Sequence, residues 1–460
     1  MICKSHNHTT MHVIHPNAAG IDIGSNSHFV AIPPDRCEVS VREFHCFTSD
    51  LQRCAKWLKS CGITTVAMES TGIYWMPLFE ILEAEGIEVK LVNARQVKNL
   101  PGRKSDVLDC QWIQRLHTFG LLEGTFHPDK NIAPLRAYTR HRNNWVRHAG
   151  HHIQHMQKAL RLMNLNLDAV VSDITGVTGK RIILAILDGE RDAQVLAQLR
   201  DRRCRKKKYE IVQALDGHYR EEHLFALRQA YEQFGFYQRQ IADCDRQLLK
   251  CLEALDQGMA EEHQQQPLKA RVPARRNEPD FDLQRALYDM TGVDLTTING
   301  VGAYTALKVI SEIGSDMTRW GNVKQFCSWL GLSPGSKISG GKVLSAKTKP
   351  TANRAAAALR MAAQSLHHSK SALGAYYRRK RYHLGAPKAI TATAHKLARI
   401  IYAMLSNGSS YMDLGEEVYE AQHRERVKHN LKQKARRLGY ALVEIETESL
   451  MQPDNIKTTG

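Results

Sequence analysis

Two short stretches decide the fold: residues 19–32, AGIDIGSNSHFVAI, and residues 64–70, TTVAMES. The first reads as a strand followed by a Gly-bearing turn. The second is a short, mostly apolar run of the kind a strand buried on both faces carries. Around them, 38–47 (EVSVREFHCF) alternates at period two, and 88–93 (EVKLVN) reads as another strand. Between the strands lie helical segments. SDLQRCAKWLKSCG (49–62) has Ser49 or Asp50 as its expected cap and Gly62 as its stop. WMPLFEILEAEG (75–86) is a second helix. SDVLDCQWIQRLHTFG (105–120) opens on a capping Ser105 and closes at Gly120. Strands interleaved with helices predict a mixed, partly parallel α/β sheet.

Four carboxylates fall at telling places in this pattern. Asp22 sits inside the first strand between Ile21 and Ile23, and Glu69 ends TTVAMES. Asp106 and Asp109 stand three apart at a helix start, on one face. Neighbouring strands would bring Asp22 and Glu69 to about 5 Å. A charge buried alone in a sheet costs several kcal/mol, so such a cluster calls for a cation. Hard oxygen donors select Mg²⁺ or Mn²⁺, and two such ions can clamp the oxygens of a phosphodiester. Each acid also has a structural reading of its own. Asp22 would shape a turn, Glu69 would cap a helix, and Asp106 and Asp109 would favour the helix dipole.

From 130 to 260 glycine becomes sparse. Apolar residues at helical spacing (Phe234, Tyr237, Ile241, Cys244, Leu248, Cys251, Leu255) predict long helices paired as in a coiled coil, with 173–208 as a helical insertion at the tip. HQQQPLKARVPARRNEPD (263–280) carries three prolines and reads as a linker. Beyond it, TTINGVGAYTALKVISEIG (296–314) reads as helix, Gly-x-Gly turn and helix. Its Gly300 and Gly302 either present backbone amides to a phosphate or allow close packing of a helical hairpin. SGGK (339–342) follows no strand signal and lacks a full phosphate-loop motif, so a flexible, basic, serine-rich loop is expected there. The tail from Glu416 reads as a charged helix ending in LGYALVEI.

The chain of 460 residues is too long for one core and too apolar, at 43% hydrophobic, to be disordered. Its net charge of +17 points to a polyanionic partner. The densest basic runs are 135–148 (LRAYTRHRNNWVRH), 200–208 (RDRRCRKKK) and 376–383 (YYRRKRYH). A phosphate track would draw on them, Arg202, Arg203 and Arg205 above all, with Arg103, Lys104 and Lys342 nearer the motifs. Each run is otherwise a solvated helix face. His148, His152 and His155 share a helical spacing but lack a fourth partner for zinc, so packed or RNA-facing histidines are expected. Ten scattered cysteines without a C-x-x-C pair read as free thiols. No apolar run reaches membrane-spanning length and MICKSHNHTTMHVIH is no signal peptide, so a cytoplasmic protein without a membrane partner is expected.

The order Asp22, Glu69, Asp106-x-x-Asp109, with MESTGIYW (68–75) and ARQVKNLPGRKSDVLD (94–109), resembles the DEDD transposases, and most closely insertion-sequence family one-ten and its eleven-eleven subgroup. The resemblance spans about 17–165 and 285–410 and is weaker over 170–280. It implies an RNase H-like (RuvC-like) domain over 17–128, a helical coiled-coil region over 129–262 with a linker at 263–284, a small helical transposase domain with a helix-hairpin-helix over 285–412, and a charged helical tail over 413–460. It also implies cutting and rejoining of donor and target DNA through a covalent phosphoserine. Ser339 matches the family's motif serine best, with Ser336 and Ser333 as alternatives. A non-coding guide RNA, a dimeric or tetrameric assembly and a bacterial, nucleoid-associated setting are implied in the same way.

Three other functions compete. A structure-selective nuclease such as a junction resolvase would use the same acids with water and need no Ser339. IDIGSNS also resembles the phosphate loop of actin-like phosphotransferases, which require a second Asp-x-Gly loop; the late match is Asp413-Leu414-Gly415. A DNA-binding protein without catalysis is the fourth reading.

Overall fold

The structure is a computed structural model and describes residues 12–93, 105–124, 126, 129–255, 268 and 277–443. Arg103, Lys104 and nearly all of the expected linker lie outside the described residues. The chain divides into two compact units, 1–127 and 128–460.

In the first unit the strands are β1 (Ala18–Ile23), β2 (Ser27–Ala31) and β3 (Val41–His45), then helix α1 (Thr48–Ser60), β4 (Thr65–Glu69), α2 (Met76–Ala84), β5 (Glu88–Val92) and α3 (Asp106–Thr118). The sheet order is β3-β2-β1-β4-β5. The first three strands form an antiparallel meander, while β4 and β5 run parallel to β1. This mixed five-stranded sheet flanked by helices fits an RNase H-like fold. The quoted stretch 19–32 makes two strands rather than one, closed where Gly24 N–H donates to the Ser27 carbonyl at 3.1 Å. Strand β1 is buried along almost its whole length, as a central strand covered on both faces must be.

Ile21, Ile23, Val66 and Met68 face the α1/α2 layer with Leu51, Leu58, Leu78 and Leu82. The opposite face receives α3, whose Ile113 packs with Ala67 and Val92. Ser105 caps α3 as expected, accepting from Leu108 N–H. The expected cap of α1 is not made: the helix starts at Thr48 without a side-chain cap, and Asp50 pairs with Arg53 instead. Gly62 and Gly120, with φ of +72° and +68°, turn the chain out of α1 and α3.

The second unit is helical. Helix α4 (Ile132–Leu162) lies along α9 (Glu221–Ala254), with α5 (Leu167–Val170), α6 (Val177–Leu187), α7 (Ala193–Gln198) and α8 (Lys208–Leu215) between them in sequence. These short helices share one core with the long pair, through Met156, Leu160, Ile182, Ile186, Leu196, Ile211, Leu227 and Phe234. Of the apolar positions read in α9, Phe234, Ile241, Cys244 and Leu248 are buried, whereas Cys251 and Leu255 are half-exposed and Leu252 takes the inner position.

The rest comprises α10 (Leu283–Thr291), α11 (Ala303–Ile313), α12 (Val323–Trp329), the hairpin β6 (Lys337–Ser339) and β7 (Lys342–Ser345), α13 (Arg354–Ser365), α14 (Ala372–Leu384), α15 (Ala386–Asn407) and α16 (Gly415–Arg437). The helix expected just before Gly300 is only one 3₁₀ turn, Leu295–Thr297. Among the described helices none is long and apolar enough to cross a membrane.

Two buried acids, each held by arginine, tie this unit together. Arg142 of α4, 1% exposed, donates to both carboxylate oxygens of Asp245 on α9 and to the Asn277 carbonyl at 2.8 Å, and its guanidinium lies 4.9 Å from the Tyr304 ring of α11. Glu312 of α11 accepts from Arg140 at 2.6 and 2.7 Å and pairs with Arg136 at 3.1 Å. The basic run 135–148 is therefore internal scaffolding in good part, not a free phosphate track. Removing one partner of a buried pair strands the other charge. Asp245→Asn is therefore expected to lower stability by about 3–5 kcal/mol, and Arg142→Met with Asp245→Leu to recover most of it. Equal losses in denaturant melts of the two proteins would show that the pair does not act as a unit.

Candidate active site

The acids are positioned by the backbone of β1. A Cβ built on Gly20 would stand 2.2 Å from the Gln114 nitrogen and 2.4 Å from the Cys110 carbonyl oxygen. No side chain fits there, so α3 rests directly on β1. Two residues along β1, on the same face as Gly20, is Asp22. The first turn of α3 carries Asp106 and Asp109. In the parallel β1/β4 pair Ile21 stands opposite Met68, so Asp22 and Glu69 follow side by side at the strand ends. The Thr71 hydroxyl donates to Glu69 Oε1 at 2.6 Å and fixes that carboxylate.

Asp22 reports the convergence. Its carboxyl is raised from 3.8 to about 6, first by burial, then by repulsion from Glu69, Asp109 and Asp106. All four expected acids thus share one neighbourhood. The neighbouring Cys110 thiol is pushed up to about 12, mainly by burial and then by Asp22. Among the described residues no three His, Cys, Asp or Glu side chains close to metal-holding geometry. Three carboxylates around the half-buried Asp22 repel it, and a hard divalent cation is the partner whose charge and oxygen preference fit the four.

At the other end of α3, His117 is buried and held neutral. Its ring is lowered from 6.5 to about 4, chiefly by burial, and Thr65 Oγ1 lies 2.9 Å from Nε2.

Ser339 stands in the second unit. The expected flexible loop is instead a β-hairpin in which Ser339 pairs with Lys342 across Gly340-Gly341. These glycines have φ of +54° and +76°, the backbone a two-residue I′ turn demands. Ser339, Ser336 and Lys342 are exposed, as are Lys337, Lys347 and Lys349 on the same arm. Sequence reasoning missed the strands, although KIS-GG-KVLS carries the alternation and the turn of a hairpin. It also missed Gly20 and Thr71; a lone glycine inside a strand was the available signal.

The remaining expected contacts divide. Gly300, at φ +84°, leaves 2.9 Å between its would-be Cβ and the Ala362 carbonyl, which is close packing against α13. Gly302 begins α11 with Glu278 Oε1 near it, 3.8 Å from where a Cβ would stand. Arg202, Arg203 and Arg205 are exposed between α7 and α8; Arg203 pairs with Asp201 at 3.0 Å. Arg203 and Arg205 border a cleft of about 680 Å³ with Lys206, Asp168 and Asp173. In the run 376–383, Arg378 and Arg379 pair with Glu416 and Glu420 of α16. His148 and His152 stack on Tyr237, with ring centroids at 5.5 and 5.3 Å. Asp413 accepts from Ala372 N–H at 3.0 Å and precedes a helix rather than a second sheet, which removes the phosphotransferase reading.

Residues 19–165 match the transposase model of the DEDD type in IS110, and residues 294–378 match the transposase model of the IS116/IS110/IS902 family. The chain belongs to the IS110 family of transposases. Comparison with curated proteins gives no match. The IS110 transposase is thus an enzyme that cleaves and transfers DNA, and its DEDD domain implies dependence on a divalent metal. Asp22, Glu69, Asp106 and Asp109 fall in the first matched segment, and Gly300, Gly302, Ser339 and Lys342 in the second.

Two outcomes follow from this geometry. A group raised on folding stabilises the protein below its unfolded pKa, and that contribution is lost as pH rises through the folded value. For Asp22 the window runs from 3.8 to about 6. In chelator, the melting temperature of Asp22→Asn should match wild type at the acid end and exceed it increasingly up to the top of that window. His117 titrates in the opposite sense, losing stability as pH falls from 6.5 toward 4, but is common to both proteins and cancels in the difference. A constant difference across the window would mean that Asp22 ionises alone. Gly20→Ala should cost about 1–3 kcal/mol by overpacking α3 and should abolish any metal-induced rise in melting temperature. Wild-type melting and metal response would show α3 free to shift.

Proposed function

We propose that this chain is an RNA-guided DNA recombinase that cuts and rejoins strands through a covalent phosphoserine on Ser339. Asp22, Glu69, Asp106 and Asp109 would hold Mg²⁺ or Mn²⁺. The observation that carries the reading is the repulsion of three carboxylates on Asp22, which a bound cation relieves. Such an ion, when bound, supplies positive charge to the oxygens of a scissile phosphodiester.

The chain's own residues do the rest. Thr71 holds Glu69 in place, and α3 presents Asp106 and Asp109 from its capped first turn. Ser339 Oγ attacks phosphorus: the Oγ–P ester forms as one P–O bond of the DNA breaks, and the leaving oxygen takes the proton the hydroxyl gives up. Rejoining reverses these changes, so the bond energy is kept rather than lost to water. An exposed serine beside a hairpin tip, among Lys337, Lys342, Lys347 and Lys349, suits approach to a phosphate. Guidance by a non-coding RNA, a dimeric or tetrameric assembly, and a bacterial cytoplasmic setting belong to the same proposal. They rest on the family resemblance and on the charge of +17.

The test is a trapping experiment with labelled DNA and Mg²⁺. Label should appear on the Ser339 peptide of wild type, persist in Ser336→Ala and Ser333→Ala, and vanish in Ser339→Ala together with cleavage. Mg²⁺ should raise the melting temperature of wild type and not of Asp22→Ala. Continued cutting by Ser339→Ala without an adduct would establish the water-using nuclease instead. Sequencing RNA that co-purifies with the chain tests guidance separately.

A further inference from the structure

The last described helix is anchored at one end only. Its first turns are acidic and dock on α14: Glu416 meets Arg378 at 2.6 Å, Glu420 meets Arg379 at 2.7 Å, and the Tyr419 ring lies 4.8 Å from the Arg379 guanidinium. The rest of α16 is of opposite charge. Residues 424–437 hold Arg424, Arg426, Lys428, Lys432, Lys434, Arg436 and Arg437 against the single acid Glu425. None of the helix is buried, and from His429 on its described polar contacts stay within the helix. Arg424, Lys432, Lys434, Arg436 and Arg437 have no acidic partner among the described residues.

The residues are not scattered around the axis. At about 100° per residue, Arg424, Lys428, Lys432 and Arg436 form one ridge, spaced i, i+4, i+8 and i+12. Val427, Leu431 and Leu438 fall together in a narrow stripe beside it, and they are 40%, 49% and 67% exposed. Arg426, Lys434 and Arg437 lie on the far side of that stripe. Two cationic rows thus flank a thin apolar line. Lys428 meets Glu425 of the same helix at 3.6 Å, but the like charges at i, i+4 along the ridge repel one another.

A groove walled by two phosphate strands does. We infer that residues 424–437 form a cationic arm that lies along the phosphate backbone of a nucleic-acid duplex. The ridge from Arg424 to Arg436 is about 18 Å long, and a helix about 10–12 Å across enters a major groove about 12 Å wide. There the two rows face the two strands and the stripe faces base edges, where thymine methyls offer apolar contact. A membrane-surface helix needs a broad apolar face, not three side chains. A second copy of the arm would set seven cations against seven. The arm lies beyond both family-matched segments, the later of which ends at residue 378, and the family's action on DNA enters only in the choice of polymer.

The test uses the full chain with Arg424, Lys428, Lys432 and Arg436 all changed to Gln. Binding to a DNA duplex and to an RNA duplex of the same sequence is measured over a salt series. The log–log slope should fall by about three to four, since each phosphate contact contributes about 0.9. Melting should be unchanged, because no substituted residue is buried. Val427→Ser with Leu431→Ser should weaken binding while leaving the slope alone. The larger fall should be on the DNA duplex, and a larger fall on the RNA duplex, whose major groove is too narrow for a helix, would overturn the groove placement. Unchanged slopes on both would overturn the inference, as would loss of binding to anionic vesicles with duplex binding intact, or a changed oligomeric state. Binding rather than cleavage is read, so a chain that never cleaves yet shows the slope change loses the recombinase reading and keeps the arm.

Discussion

The absence of a side chain at Gly20 sets the geometry of the first unit. With Cys110 and Gln114 seated on the bare backbone of β1, the first turn of α3 is carried to the end of the strand where Asp22 emerges. One wall of the acid cluster is then a strand end and the other a helix N-terminus. The parallel partner β4 brings Glu69 into register. The arrangement gathers negative charge against its own repulsion. It persists because each acid is fixed by backbone already committed elsewhere: β1 by two strand neighbours, α3 by its Ser105 cap and apolar face. Burial and repulsion together raise Asp22 because the fold holds the acids close regardless.

The second unit uses charge in the opposite way. Arg142 and Glu312 sit inside it with their partners, joining α4 to α9 and to α11. An arginine paired inside is lost to nucleic acid, however basic the run in which it stands. The same holds for Arg378 and Arg379, which secure the start of α16.

These contrasts explain what was legible in the chain. Period-two and helical spacings along 18–118 marked the strands and helices, because each depends on neighbours a few residues away. The four acids were legible for the same reason: each sits at a strand or helix end that local pattern defines. Ser105 was read as a cap and is one. The function of the basic runs was not legible, because Arg142 finds Asp245 at a separation of 103 residues and Arg140 finds Glu312 at 172. No local pattern announces such partners. The hairpin at Ser339 was missed for a different reason. Its strands are short and its glycine pair, read as looseness, is the requirement of a tight turn.

Net charge is accordingly a poor footprint, and exposed charge a better one. Once the arginines of α4 and α14 that hold acids are set aside, exposed cations gather on three features of the second unit: the loop at 202–208, the lysines of the serine hairpin, and the last turns of α16. Two of these are local turns whose shape is fixed by their own residues, and the third is a helix fixed at its acidic end. In each case cations are presented by backbone ordered before any polyanion arrives, so less conformational freedom is lost on binding than a disordered basic tail would lose. The excess of positive charge is therefore arranged, and its arrangement follows from where the acids of the same chain are already engaged.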